Sequence, residues 1–168
     1  VKTSAFTGNV IATGSRVGGI VGSGYDALSA PNTPVVTVRN SYVNANIQGG
    51  NEVGGILGSE PVCEDCWANG EGSIIDNVFY GKISASEKGA YLGGIIGFMK
   101  SYNENQTMTN NFYVDTCNAA QGVGKVEISK VSNLELKNCG TAASEKEMAD
   151  GTVVKRLNDS KTSFHNWV

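Results

Sequence analysis

Six residues, Val17-Gly18-Gly19-Ile20-Val21-Gly22, return as Val53-Gly54-Gly55-Ile56-Leu57-Gly58 and again as Leu92-Gly93-Gly94-Ile95-Ile96-Gly97. An apolar-plus-glycine unit that recurs after 36 and then 39 residues is the signature of a repeat architecture. A unit of this length cannot bury its apolar surface alone, but stacked units can. Read as a strand, the stretch puts Val17, Gly19 and Val21 on one side and Gly18, Ile20 and Gly22 on the other. Neither side is polar, which predicts a strand covered on both faces. The glycine pairs Gly18-Gly19, Gly54-Gly55 and Gly93-Gly94 admit the close approach of a neighbouring backbone.

A second element recurs between the glycine stretches. It reads Asn40-Ser41-Tyr42, then Asn77-Val78-Phe79, then Asn111-Phe112-Tyr113, with a trace at Phe6. An aliphatic residue follows the aromatic at Val10, Ile47 and Ile83. The interval is one residue longer in the second copy, which predicts a β-bulge there. Val35 to Tyr42 and Ile74 to Ile83 are rich in β-branched and aromatic residues and read as strands. Stacking at about 4.8 Å per strand then predicts a solenoid with four rows. Val17, Val53 and Leu92 form one, and Ile20, Ile56 and Ile95 another. Phe6, Tyr42, Phe79 and Tyr113 form an aromatic row. Asn40, Asn77 and Asn111 form an amide ladder, unless each Asn only caps its own turn.

Composition narrows the partners. Charged residues make up 17% of the chain and the net charge is −3, so nothing basic is offered to nucleic acid or to an anionic membrane surface. No apolar run is long enough to span a bilayer, so membrane insertion is not expected. The sequence begins at Val1 rather than Met, and is read as a piece of a longer polypeptide with flanking domains.

The pattern VGGIVG … RNSY … VGGILG … DNVFYGKI … LGGIIG resembles the GLUG-motif repeats of bacterial surface proteins. The resemblance covers residues 6–124. It implies an all-β fold, a short right-handed parallel β-helix of about four coils. It also implies a place in a large secreted or wall-attached adhesin-like protein, or upstream of the catalytic part of an IgA-cleaving metalloprotease. Gln121-Gly122-Val123-Gly124 keeps only a trace of the motif. The repeats are therefore expected to occupy residues 1–124 and a C-terminal cap residues 125–168. In the cap, Ser144 followed by Glu147 is a capping-box pattern. It predicts one helix over 145–157, weakened by Gly151, with Met148 and Leu157 anchoring it over the open end of the solenoid. The resemblance implies a Trp-containing tail, and Trp167 stands there.

Candidate chemistry is sparse. Cys63 and Cys66 form a C-x-x-C pair in a loop, and Cys117 and Cys139 lie further on. Disulfides Cys63–Cys66 and Cys117–Cys139 are one reading, and free buried thiols are another. A zinc site lacks a second ligand pair, so no metal and no cofactor is expected. His165 is the single histidine and lies in the tail. A β-helix lyase or hydrolase needs clustered carboxylates, whereas Asp26, Glu52, Asp76, Glu87 and Asp115 do not recur at one repeat position. The variable loops each carry an aromatic, namely Tyr25, Trp67 and Tyr102. Aligned along one edge they would form a platform for sugar rings or a partner protein. The alternative is that they fold down over the outward Ile20, Ile56 and Ile95.

The sequence therefore predicts a non-catalytic, extracellular or cell-wall-attached module. It would serve adhesion to host or dietary glycans or to a host surface protein, or serve as a spacer. The competing readings are a carbohydrate-active β-helix enzyme and an accessory segment of a surface metalloprotease. Clustered Asp, Lys and Arg on one face would favour the enzyme, bare Thr/Ser/Asn faces with aromatic loops would favour adhesion, and featureless faces would favour a spacer.

Overall fold

The computed structural model describes residues 1–23, 36–60, 73–102, 107–129, 139–160 and 167–168. In chain order the first group of strands is β1 (Ala5–Ile11), β2 (Val17–Gly18), β3 (Val21–Ser23) and β4 (Thr37–Arg39). The second is β5 (Tyr42–Gly49), β6 (Glu52–Gly54), β7 (Leu57–Glu60) and β8 (Ser73–Ile75). The third is β9 (Val78–Ala85), β10 (Tyr91–Gly93), β11 (Ile96–Tyr102) and β12 (Thr107–Thr109). Then come β13 (Phe112–Val114), β14 (Val123–Ser129), β15 (Thr141–Ala143) and the helices α1 (Glu145–Ala149) and α2 (Thr152–Asp159). The strand pairings among the described residues are parallel, and through the first three groups each joins a strand to its counterpart in the next group. The sheets run β1-β5-β9-β13-β15, β2-β6-β10, β3-β7-β11-β14 and β4-β8-β12.

The glycine motif is a corner, not a continuous strand. β2 and β3, β6 and β7, and β10 and β11 are each separated by the second glycine and the isoleucine of the motif. Steric crowding explains both glycines. A Cβ on Gly54 would lie 2.0 Å from the Leu57 carbonyl oxygen, across the corner. A Cβ on Gly55 would lie 2.2 Å from the Gly94 carbonyl oxygen and 2.4 Å from the Phe79 ring. In the next copy the Tyr113 ring stands 2.3 Å from where a Gly94 Cβ would be. The corner also redirects the isoleucines. Ile56 and Ile95, expected to face outward, are fully buried in the main core. Their neighbours hold the predicted row, with Val17 opposite Val53 and Val53 opposite Leu92.

The aromatic row is shifted by one residue in its second copy. Phe6 pairs with Val43, Val43 with Phe79, and Phe79 with Tyr113. Val43, not Tyr42, stands in the row. The predicted bulge is absent as a consequence, because β5 and β9 stay in register over all eight residues, with Ile47 opposite Ile83. Tyr42 instead shares the other side of the sheet with Val78 and Phe112, which pair with it in sequence along the sheet.

The amide ladder forms, with a different first member. Asn77 Oδ1 accepts from the Ser41 N–H at 3.0 Å, and Asn111 Oδ1 accepts from the Asn77 N–H at 3.1 Å. Asn77 Nδ2 donates to Asn111 Oδ1 at 3.0 Å and to the Val38 carbonyl at 2.9 Å. Asn111 Nδ2 closes the far end on the Ile74 and Cys139 carbonyls. Ser41 takes the place expected for Asn40, and its hydroxyl accepts from the Ser4 N–H at 3.4 Å. Asn40 sits one position earlier, level with Asp76 and Asn110. These three have φ of 50°, 55° and 56°, a left-handed corner that Asn and Asp tolerate better than other side chains.

β14 runs through residues 124 and 125 and pairs with β11, while β15 extends the five-stranded sheet. The expected single helix is two, because Gly151 breaks it at φ 85°. The capping box is present. Ser144 accepts from the Glu147 N–H at 3.2 Å, and the Glu147 carboxylate accepts from the Ser144 N–H at 3.0 Å. These Ser144 donors, backbone first, hold the Glu147 carboxyl below its ordinary value. Ser144→Ala should lower stability by about 1 kcal/mol, read as a fall in thermal midpoint of roughly 2–4 °C. The charged carboxylate favours the cap above its ordinary pKa, and this contribution is lost as the pH falls through the lowered folded value. The deficit should therefore shrink in acid.

The helices lie against the outer face of the five-stranded sheet. Val153 and Leu157 pack on Val78, Phe112 and Ala143, with Tyr42, Met148 and Trp167 at the margin. The register explains this. Tyr42, Val78 and Phe112 form an apolar row on the face opposite the main core, and the amphipathic α2 removes that row from water.

A polar sheet face and an aromatic groove

Most of the residues singled out for the loop platform fall outside the described structure. Tyr25, Trp67, Cys63, Cys66 and His165 lie outside the described residues, and so does the Tyr102 side chain, although its backbone ends β11. Cys117 and Cys139 are described. Both are buried, and burial pushes the Cys117 thiol up. Of the carboxylates weighed, Glu52 pairs with Arg16 at 3.3 Å and Asp76 is fully buried, accepting from Asn110 Nδ2.

Two features of the five-stranded sheet stand out. The first is its face opposite the main core, beyond the helices. β5 alternates buried Val43, Ala45 and Ile47 with outward Asn44, Asn46 and Gln48. Registered against these are Thr7, Asn9 and Ile11 of β1 and Tyr80, Lys82 and Ser84 of β9. Asn46 Nδ2 donates to Asn9 Oδ1 at 3.2 Å, while Lys82 Nζ donates to the Thr116 carbonyl. The face thus presents amides and hydroxyls at separations set by strand spacing, with Lys82 its one cation among these residues and Ile11 an exposed apolar side chain at its edge.

The second is a groove where this face meets the helices. A hollow of about 410 Å³ lies between Tyr42, Val78 and Tyr80 of the sheet and Met148, Val153 and Val154 of the helices, and Trp167 closes one side. A smaller hollow of about 240 Å³ adjoins it, lined by Thr3, Ser4, Asn40 and again Tyr42 and Trp167. Trp167 is held by reciprocal backbone bonds to one side chain. Its N–H donates to Asn158 Oδ1 at 2.7 Å, and its carbonyl accepts from Asn158 Nδ2 at 3.0 Å. Burial first, and then the neighbouring Tyr80, push the Tyr42 phenol above its ordinary value. Two side-chain atoms of the lining residues, the indole Nε1 of Trp167 and Oδ1 of Asn40, are sealed from water without a hydrogen-bond partner.

Sequence reasoning missed both features. The polar face has a readable signal, the strict alternation from Tyr42 to Gln48. The groove has none, because residues 42, 80, 153 and 167 meet only through tertiary packing. Among the described residues no helix is long and apolar enough to cross a membrane, and no group of three or more His, Cys, Asp or Glu is placed to hold a metal ion. No family model, no curated protein and no solved structure matches the chain.

Proposed function

We propose that the chain is a GLUG-type repeat module, a short right-handed parallel β-helix of about four coils, within a large bacterial surface protein. On this reading it is extracellular or wall-attached and non-catalytic. It serves adhesion by holding host or dietary glycans along its outward sheet face. Residue steps of 34 to 39 between paired strands through the first three groups, shortening to 27 and 29 at β14 and β15, in four parallel sheets, support the coil reading.

The observation that carries the adhesive reading is the outward lattice of Thr7, Asn9, Asn44, Asn46, Gln48 and Ser84. Amides and hydroxyls both donate and accept, as sugar hydroxyls do, and strand spacing holds them at fixed separations. A rigid array of such groups loses little entropy on binding an extended polymer. The neighbouring Tyr80 adds a flat ring for the apolar face of a sugar.

The test is retention of the protein on immobilised mucins, host glycans and plant polysaccharides, with released reducing or unsaturated ends measured in the same samples. Saturable retention without release is expected. The double variant Asn46→Ala/Gln48→Ala should weaken retention by about tenfold, the loss of one or two polar contacts, with an unchanged thermal midpoint. Product release would establish the carbohydrate-active enzyme instead. Absence of both retention and release would leave the spacer reading.

A further inference from the structure

Three patterns that run through the stack are cut off at the first group of strands, on the side away from β5. The first is a column of glycines, since the last glycine of each motif faces the group before it. A Cβ on Gly58 would lie 2.5 Å from the Gly22 carbonyl oxygen, one on Gly97 2.5 Å from that of Gly58, and one on Gly124 2.5 Å from that of Gly97. Gly22 keeps the glycine, yet among the described residues a Cβ there meets only the Arg16 carbonyl of its own group, at 2.9 Å. The second pattern is the core. Phe6, Val10 and Val21 are half-buried, while Val43, Ile47 and Leu57, their partners one group on, are buried.

The third pattern is the backbone ladder, because β1 ends the five-stranded sheet. The Ser4 carbonyl accepts from the Tyr42 N–H at 2.9 Å, and the Ala12 N–H donates to the Gln48 carbonyl at 3.0 Å. Successive residues of a strand turn their backbone groups to opposite sides, so the even-numbered residues serve β5. The N–H and C=O of Ala5, Thr7, Asn9 and Ile11 therefore face the open side. β1 carries none of the charges or prolines that blunt a free edge. Beside β4 the ladder does continue. The Arg39 N–H donates to the Val1 carbonyl and the Thr3 N–H to the Arg39 carbonyl, both at 3.0 Å, with Lys2 bridging Arg39 in parallel. Thr3, at φ 50°, then makes the left-handed corner that Asn40 makes at the same φ before β5, a conformation that a β-branched residue seldom takes.

We infer that the open side of β1, β2 and β3 is the docking surface for one further parallel coil of the same repeat, which joins the chain through Val1. The inference rests on strand pairing and is independent of the glycan reading. A strand along β1 supplies partners for the backbone groups that Ala5, Thr7, Asn9 and Ile11 leave unspent. Its aliphatic residues extend the rows over Phe6, Val10 and Val21. A carbonyl at its glycine corner stands against Gly22, where a methyl group would collide with it. A helix has spent its backbone groups on itself, so it completes the core rows but not the ladder. A separate copy of the chain would have to displace residues 1–3, which already fill the β4 row of the same layer.

The experiment extends the full chain at Val1 with a copy of residues 41–73. The register is set by Lys2, which pairs with Arg39 as Arg39 pairs with Ile75. The same added residues in scrambled order are the control. Amide hydrogen exchange at Ala5, Thr7, Asn9 and Ile11 should slow on the order of 100-fold against the control. Gly22→Ala should lower the thermal midpoint of the extended protein by roughly 6–12 °C, and that of the original chain by less than half as much.

Unchanged exchange in the extended protein, or equal losses from Gly22→Ala in both proteins, would overturn the inference. So would slow exchange of the same four amides in the original chain as a monomer, a measurement that needs no added coil. Protection that grows with the concentration of the original chain, together with dimers in sedimentation, would assign the surface to a second copy instead.

Discussion

Gly54→Ala should destabilise the protein by about 3 kcal/mol or more, the upper range for forcing extra volume into packed structure. In a chain of this length that is a fall in thermal midpoint of roughly 6–12 °C. The added methyl would lie 2.0 Å from the Leu57 carbonyl oxygen and 2.6 Å from the Gly97 amide nitrogen. Both obstacles are backbone, and both belong to parallel ladders, so neither can swing aside as a side-chain tip would. The same substitution at Gly14 meets nothing within 4 Å and should change stability by no more than about 0.5 kcal/mol. Gly55→Ala tests the other half of the motif, where the new methyl meets the Gly94 carbonyl and the Phe79 ring. Denaturant or thermal melts of the three variants decide the matter. If Gly54→Ala melts like Gly14→Ala, the corner is not the reason for the repeated glycines.

Asn77→Ala should cost about 3–4 kcal/mol, because it leaves two buried backbone groups unpaired at about 1–3 kcal/mol each. The Ser41 N–H loses its acceptor and the Val38 carbonyl loses its donor. Asn111 Oδ1 loses one of its two donors. All of this lies at a fully buried position, where water cannot substitute without opening the stack. Asn77→Asp separates hydrogen bonding from volume. It keeps the size and the acceptor for Ser41, but turns an oxygen toward the Val38 carbonyl and Asn111 Oδ1. Burial among acceptors raises the folded pKa of the new carboxyl, so its stability relative to the parent is lost as the pH rises through that value and partly recovered below about pH 4. Equal melts for Asn77→Asp and the parent at pH 7 would contradict the ladder.

The errors of the sequence reading are instructive because they share a cause. Taking Tyr42 as the partner of Phe79 is the natural choice, since both are aromatic and each follows an Asn by two residues. The structure pairs Val43 with Phe79 instead. A strand has a side-chain period of two, so a slip of one residue moves the entire strand to the opposite face. With Tyr42 in the core, Asn44 and Asn46 would turn inward as well. With Val43 in the core, Val43, Ala45 and Ile47 are buried and Asn44, Asn46 and Gln48 face out. The apparent bulge and the choice of Asn40 over Ser41 both follow from the same slip. The burial of Ile56 and Ile95 has a related reason. Alternation assumes a continuous strand, and the chain turns a corner at Gly55-Ile56.

The repeat itself was legible because it is written in local steric demands. Two adjacent glycines at a period of 36–39 residues mean that something must approach the backbone closely at the same place in successive units. The parallel pairing of those units, the aliphatic row through Val17, Val53 and Leu92, and the Ser144 capping box all follow from residues near one another in sequence or repeated at fixed intervals. The register between units and the face on which those helices lie were decided only by the packed structure. Each is a competition between arrangements that place nearly the same residues in contact. The balance is set by how much apolar surface the assembled sheet leaves uncovered: the row Tyr42, Val78 and Phe112 exists as a surface only once β5, β9 and β13 are paired. The helices go where that row is, and the groove beside Trp167 arises where they do not cover it.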